Sequence, residues 1–380
     1  MNGLERLQNR KSRIELLKIV AMFMIVMSHV VQTVGSKCPY IDSTAYVLDL
    51  TSSTNNLQLL LMSTIRYFGA FGDWFFFICS AWFWIESDNV RLNKLLHIFV
   101  EVWSFSVAAL FLTDFIRGGG VSKELMREAL LPNTFATNWY ITAYLIFCPL
   151  HSVLNKVIRC LTKKQLLYVA TTSTVLYILC GMWNDKLFFS STLIIWCTVY
   201  FDMAYIKIYC RQILDNIKIN KIIFALSTAI FMAGIVLTNI LGLANAKFEH
   251  LLLRWNGLCN PLIIIIAIAL FNIFRMSNGY SCSINNISKY TLLIYIIHEN
   301  LMIRSYLRPL IWLLIYENLG YDWIIVQTIV FSIALFSASF VLAVAYTNIL
   351  KKPIDAMTCL LEKILRYFWG FYEKMVFMIH

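Results

Sequence analysis

The chemistry of this 380-residue chain is to be sought where ionisable side chains interrupt apolar stretches, because each is costly there unless it is paired or used. Such residues include Glu15, Lys18 and His29 in the first stretch, Asp73 in the second, His97, Glu101 and Asp114 in the third, Asp202 in the sixth, and His298 with Glu299 in the ninth. An imidazole away from bulk water suits general-base proton transfer, and a carboxylate at its level can orient it. Lys18 and His29 are eleven residues apart, so a helix puts them on one face, about 20° apart in azimuth and roughly 16 Å apart along the axis. Asp73, about 10 Å below the outer start of an oppositely directed helix, reaches a depth similar to His29, and the two are expected to pair. Lys94 and His97, at i and i+3, present nitrogen donors on one face at the level of Lys18, a cationic mouth suited to phosphates.

These residues need helices to hold them. The chain is 59% hydrophobic and 14% charged, a balance that would leave large apolar areas facing water in a soluble protein. Apolar runs of spanning length fall at roughly 14–34, 66–86, 95–117, 138–156, 166–183, 188–206, 221–242, 256–275, 288–310 and 323–350. They lack the period-2 alternation of barrel strands, and in lipid every backbone group must pair within its own segment, so the fold class is all-α: a polytopic bundle of about ten transmembrane helices. Residues 1–350 form one membrane-embedded domain. Residues 351–380, with Leu360, Leu361, Ile364, Leu365 and Phe368 spaced among Glu362, Lys363 and Arg366, suggest an amphipathic helix on the cytoplasmic surface.

The formal charge of +11 follows the topology rather than a nucleic-acid groove. With the N-terminus in the cytoplasm, roughly two thirds of the Lys and Arg fall on cytoplasmic segments, as the positive-inside rule requires, and the excess meets anionic lipid. The ten cysteines form no C-x-x-C pair and read as small buried hydrophobes. No histidine shows metal-ligand spacing, and no phosphate-cradling glycine motif of a nucleotide-hydrolysing enzyme appears. Bland readings stand beside the sharp ones. Lys18 can snorkel to headgroups, Lys94 and His97 can be plain positive-inside residues, and Trp139 and Trp323 can belong to an aromatic belt. Glu101, Asp114 and Asp202 are expected to make helix-to-helix polar contacts.

Four stretches, in order along the chain, carry a resemblance. Arg13-Ile-Glu-Leu-Leu-Lys18 continuing to Ser28-His29 resembles the first-helix signature of the membrane acyltransferase-3 family, and Gly72-Asp73-Trp74-Phe75-Phe76-Phe77-Ile78-Cys79-Ser80 resembles its second-helix stretch. Asn138-Trp139-Tyr140 through Pro149-Leu150, and Ser288-Lys289-Tyr290 through Tyr295-Ile-Ile-His298, are similar to its fourth-helix and late motifs. The resemblance spans roughly residues 13–350 and implies about ten helices. It also implies transfer of an acyl group, usually acetyl from acetyl-CoA, to a hydroxyl of an extracytoplasmic or lipid-linked glycan. Three positions depart from the pattern. The first-helix arginine is Lys18, which keeps the charge and loses the bidentate fork; an R-x-x-R pair maps to Lys94 and His97; and Ala81 stands for a glycine.

The expected mechanism follows from depth. Acyl-CoA docks from the cytoplasm with its phosphates near Lys18, Lys94 and His97, and His29, oriented by Asp73, serves as general base on the acceptor hydroxyl, with an acyl-histidine as a variant. His298 lines the same cavity, and Trp139 and Tyr140 stack on a sugar. The expected place is the plasma membrane, as a multi-pass protein without a metal. The competing class is a transporter or flippase for a glycan intermediate, with Asn260-Pro261 as one helix break.

Overall fold

A computed structural model describes residues 12–34, 56–183, 192–245, 251, 255 and 257–378, and every regular element among them is helical. The basic segment 1–11, which carries much of the orientation argument, lies outside them. In chain order the helices are α1 (Ser12–Val34), α2 (Asn56–Trp84), α3 (Leu92–Ile116), α4 (Lys123–Leu130), α5 (Trp139–Cys160), α6 (Lys163–Trp183) and α7 (Thr192–Tyr209). There follow α8 (Arg211–Leu214), α9 (Ile217–Ala244), α10 (Pro261–Met276), α11 (Cys282–Ser288), α12 (Thr291–His298), α13 (Arg308–Leu319) and α14 (Ile324–Met378). Among the described residues, five helices are long and apolar enough to cross a membrane: Ser12–Thr33, Leu92–Ile116, Trp139–Cys160, Ile217–Gly242 and Ile324–Met375. Caps set several starts. Asn216 accepts from the amides of Lys218 and Ile219 to open α9, and Asn260 accepts from Leu262 with Pro261 in the first turn of α10.

Three regions differ from the sequence expectation. The run at 288–310 is not one helix: α12 ends at His298, the Asn300 side chain accepts from the Met302 amide at 2.9 Å, and a π-helical turn over Ile303–Leu307 leads into α13. Residues 117–137, between the third and fourth apolar runs, contain α4, capped by Ser122 and folded back along α3. Trp103 Nε1 donates to the Leu130 carbonyl at 3.1 Å and Ser106 Oγ to that of Ala129 at 2.8 Å, so polar side chains of α3 hold the returning segment. Finally, α14 runs unbroken through Pro353, and one face of its distal part meets α3 and α5, where Asn93 donates to Glu362 at 2.8 Å and Tyr372 to the Pro149 carbonyl at 2.5 Å, while Leu360, Ile364 and Phe368 stay exposed.

The site is positioned by α1, the central helix. Of its most apolar window 67% is buried, against 28% for α9, which faces outward. Its most extensive neighbour is α2, and the closeness has a residue-level cause. A Cβ at Gly72 would stand 2.5 Å from Ile25 Cγ1 and 2.7 Å from the Ala21 carbonyl oxygen, and one at Gly69 would stand 2.5 Å from Ser28 Oγ. Glycine at these two positions, three apart on one face, lets the backbones approach as small residues do in membrane helix pairs. Elsewhere α7 answers α6 through Thr174, which donates to Asp202 at 2.6 Å, the helix-to-helix contact expected of that carboxylate.

The turn between α2 and α3 sets where Lys94 starts its helix. Asp88 accepts from Arg159 at 2.6 and 3.2 Å and from Asn155 at 3.0 Å, while Tyr200 donates to Asn155 at 2.7 Å. His151, buried and stacked on Trp84, faces the Ser87 carbonyl at 3.0 Å and so is part of this tether. Burial pushes the Asp88 carboxyl up, and the hydrogen bonds from Arg159 and Asn155 outweigh it, holding the group below its ordinary value.

Two predictions follow from this packing. Gly72→Val drives carbon into the Ala21 carbonyl and is expected to lower stability by about 1–3 kcal/mol, read as a fall in the melting temperature of the detergent-solubilised protein. Asp88→Asn is expected to melt below wild type at neutral pH. Because the folded-state value is depressed, its contribution is present above the ordinary carboxylate range and lost as pH falls through the depressed value, so the gap closes below about pH 4.

Candidate active site

Where α12 ends, five charged or ionisable side chains converge, and three of them are almost completely buried. His298 is 0% exposed, Glu299 5% and Arg308 4%. The His29 Nδ1 atom of α1 lies 2.9 Å from Glu299 Oε2 and 3.0 Å from His298 Nε2. Arg308 Nη1 reaches Glu299 Oε2 at 3.0 Å, and Arg304 Nη1 reaches Oε1 at 3.0 Å. Arg304 also extends to the Thr137 carbonyl at 3.5 Å, which joins the segment before α5 to the cluster.

The local sequence explains the convergence. Ending α12 at His298 frees Glu299 from the helix interior, and the π turn over Ile303–Leu307 widens the next helix so that Arg304 and Arg308 both return to the carboxylate. π turns inside helices commonly mark functional sites. A carboxylate in an apolar core is tolerated only when paired and hydrogen-bonded, and here both oxygens are met by guanidinium donors.

The proton positions follow by elimination. His298 Nδ1 lies 2.7 Å from the Ile294 carbonyl, which only accepts, so Nδ1 carries the hydrogen and Nε2 of the neutral ring is an acceptor. His29 Nδ1 faces that Nε2 and the Glu299 carboxylate, both acceptors, and therefore carries a hydrogen itself. The neutral His29 ring is left with its lone pair on Nε2. A carboxylate fixing one ring nitrogen so that the other is basic is the arrangement that orients a general base.

The sequence-derived candidates divide. His29 and His298 come together. Asp73, expected beside His29, instead lines a neighbouring cavity of about 170 Å³ together with Ser80, Lys94, Tyr140, Tyr144 and Tyr295. Similar depth was not enough: the rotation of α2, fixed by the Gly72 contact, turns Asp73 into the cavity, and Glu299 takes the place at the imidazole. His29 does not line this cavity; Tyr295 does, and its ring packs on His29 and His298 with centroids 6.4 and 5.7 Å away. Lys18 is held by Glu15 at 2.9 Å, and His97 lies 3.5 Å from Glu101 and 3.4 Å from Asp355, so of the three expected donor-binding cations Lys94 is the one on the cavity wall. Trp139 packs edge-on against Tyr140, centroids 5.7 Å apart.

Sequence reasoning gave no role to Glu299, Arg304 or Arg308. The signal was available: an acid followed by two arginines, five and nine residues on, inside an apolar run. Nor does spacing along the chain reveal that His29, His298 and Glu299 bring three potential ligand atoms within 4.8 Å of one another. Those residues fit a proton better than a divalent cation, because both carboxylate oxygens are already engaged by positive guanidinium groups.

Among the described residues every regular element is helical and five helices are long and apolar enough to span a bilayer, the character of a membrane protein. Residues 11–348 match the acyltransferase-3 family, described as an acyltransferase domain, and the chain belongs to that family. No curated protein and no solved structure matched the chain. The class of reaction is accordingly acyl transfer.

Replacing Glu299 by Gln leaves two guanidinium groups facing an uncharged amide in the core. The variant is expected to lose about 3–5 kcal/mol, as broken buried pairs do, with a correspondingly lower melting temperature in detergent. Arg308→Met should cost less than Glu299→Gln, because Arg304 remains on the carboxylate.

Proposed function

We propose that the protein moves an acyl group, acetyl in the simplest case, from cytoplasmic acyl-CoA to a hydroxyl of an extracytoplasmic or lipid-linked glycan, with His29 as general base. The observation that carries this reading is the hydrogen-bond order from the Ile294 carbonyl through His298 and Glu299, which leaves His29 Nε2 as the basic atom. The acceptor hydroxyl gives its proton to Nε2 as its oxygen attacks the thioester carbon; the carbon–sulfur bond then breaks, and the CoA sulfur leaves as the thiol with that proton. The proposed donor path is the cavity: Lys94 meets phosphate at its mouth, and the thioester end reaches Tyr295, one ring from His29. Lys18 and His97 add positive charge near that entrance while tied to carboxylates. Asp73, on the cavity wall, is assigned to the polar end of the donor rather than to the imidazole. Tyr140 on the same wall, with Trp139 beside it, offers aromatic faces to the acceptor.

This reading includes a cytoplasmic N-terminus, about ten crossings of the plasma membrane and no metal. The helix break at Glu299–Asn300 is the observation that favours transport of a glycan intermediate, since transporters build midplane sites from broken helices. Membranes carrying the full-length protein, given radiolabelled acetyl-CoA, separate the two: an enzyme labels the glycan or lipid fraction, and a transporter leaves it unlabelled. His29→Ala is expected to fold and to lose at least a hundredfold in label transfer. Lys94→Ala is expected to raise the acetyl-CoA KM several-fold with a smaller change in kcat. Wild-type transfer by His29→Ala would remove this imidazole from the chemistry.

A further inference from the structure

The cavity and the imidazole pair are separate features joined by one side chain. Tyr295 is 3% exposed, lines the cavity, and packs its ring on Tyr140 as well as on both histidines. Its aromatic contacts are satisfied, but its hydroxyl is not. The buried oxygen makes no hydrogen bond among the described residues; the Tyr140 backbone faces it as a donor, which leaves the hydroxyl hydrogen itself without an acceptor. A buried hydroxyl left unpaired costs on the order of 1–3 kcal/mol, and a phenylalanine would fill the same apolar space without that cost. A ligand entering the cavity can supply that partner.

The chemistry of acyl transfer supplies one. When an alkoxide oxygen adds to a thioester, negative charge collects on the former carbonyl oxygen, and a fixed donor in a water-poor site stabilises that charge far more than water-exposed donors do. The donors around the imidazole pair are otherwise committed, Arg304 and Arg308 to Glu299, the Nδ1–H of His29 to Glu299 and His298, and the Nδ1–H of His298 to Ile294, and Lys94 on the cavity wall is assigned to the donor phosphates.

We propose that Tyr295 donates its hydroxyl hydrogen bond to the carbonyl oxygen of the acyl donor and to the oxyanion formed from it. The assignment rests on His29 being the base of an acyl transfer. The oxygen–carbon bond forms while His29 Nε2 takes the acceptor proton; the oxyanion, held by Tyr295, collapses as the carbon–sulfur bond breaks; and the sulfur departs with the proton from Nε2. Tyr295 keeps its own proton throughout. Its place between cavity and imidazole also requires the donor carbonyl to stop at the phenol, so the leaving thiol stays on the cavity side and the acceptor approaches from the His29 side.

The test uses membranes carrying the full-length protein and radiolabelled acetyl-CoA, with label incorporation into the endogenous glycan and lipid fractions as the readout, on wild type, Tyr295→Phe, Tyr295→Ala and His29→Ala. Tyr295→Phe keeps the ring and is expected to reduce kcat roughly 100- to 1,000-fold, the range for loss of one oxyanion donor, with the acetyl-CoA KM within about threefold of wild type. Tyr295→Ala, which also opens the wall, is expected to be no faster than Tyr295→Phe. Three results overturn the assignment while leaving His29 in place. The first is a Phe variant with near wild-type kcat beside an inactive His29→Ala, which makes Tyr295 a packing ring. The second is a raised KM at unchanged kcat, which makes it a binding residue. The third is an Ala variant faster than Phe, which makes it a gate. Transfer that survives in His29→Ala instead removes the reading on which the assignment depends.

Discussion

One negative charge in an apolar interior governs the centre of this protein. The Glu299 carboxylate is 5% exposed, and in such surroundings it persists only with each oxygen occupied by a strong donor. Meeting that demand dictates the local backbone. The helix must stop at His298 for the side chain to leave the α12 axis, Asn300 must restart it, and the following turn must widen so that residues 304 and 308 both face back. The remaining donor on the carboxylate is His29 of the central helix. The group that is most expensive to bury is thus also the group that orients the imidazole.

Close helix packing carries this constraint outward. Gly69 and Gly72 bring α2 against α1 at a separation that no side chain bearing a Cβ would permit without movement, and the same contact fixes the rotation of α2. Rotation decides what Asp73 meets: the cavity shared with Lys94 and Tyr295. Lys94 is placed in turn by the Asp88–Arg159–Asn155 tether before α3 and, farther along, by the distal part of α14, whose Glu362 accepts from Asn93. Lys94 on the cavity wall and the imidazole beyond Tyr295 are therefore set by different contacts.

Much of this was legible in the sequence, and the limit has a physical form. Apolar run length gave the helical membrane character, and the cost of ionisable groups in lipid singled out His29, Asp73 and His298. Depth could be computed from rise per residue along an ideal helix, but depth alone does not say which way a neighbouring helix is turned, and the pairing of His29 with Asp73 failed on that point. Glu299 was hidden for a related reason. A continuous helix over 288–310 would point residues 298 and 299 about 100° apart, whereas the break at its end lets both reach one histidine. Likewise α4 is short and weakly apolar, so nothing in run length announced that it folds back along α3.

The family-like stretches around Glu15 and Ser288, with residues flanking them, are joined by a series of contacts. Ser12 accepts from the Ser281 amide at 2.8 Å, Glu15 accepts from Ser288 at 2.5 Å while holding Lys18 at 2.9 Å, and His29 meets His298 and Glu299 at 3.0 and 2.9 Å. These are three rungs between two parallel stretches, residues 12–29 and 281–299. Lys18, where the family pattern has arginine, meets Glu15 through one charged contact. Since both stretches are helical over most of the interval, the lower rungs fix their relative height, and the upper rung falls where two imidazoles and a carboxylate must meet. The serine and acid near the helix starts therefore help to place the imidazole cluster from a distance, by registering α1 against α11 and α12. A slip of one residue, about 1.5 Å along either axis, would take the His29 nitrogen out of hydrogen-bond range of both partners and leave the Glu299 charge with two donors instead of three.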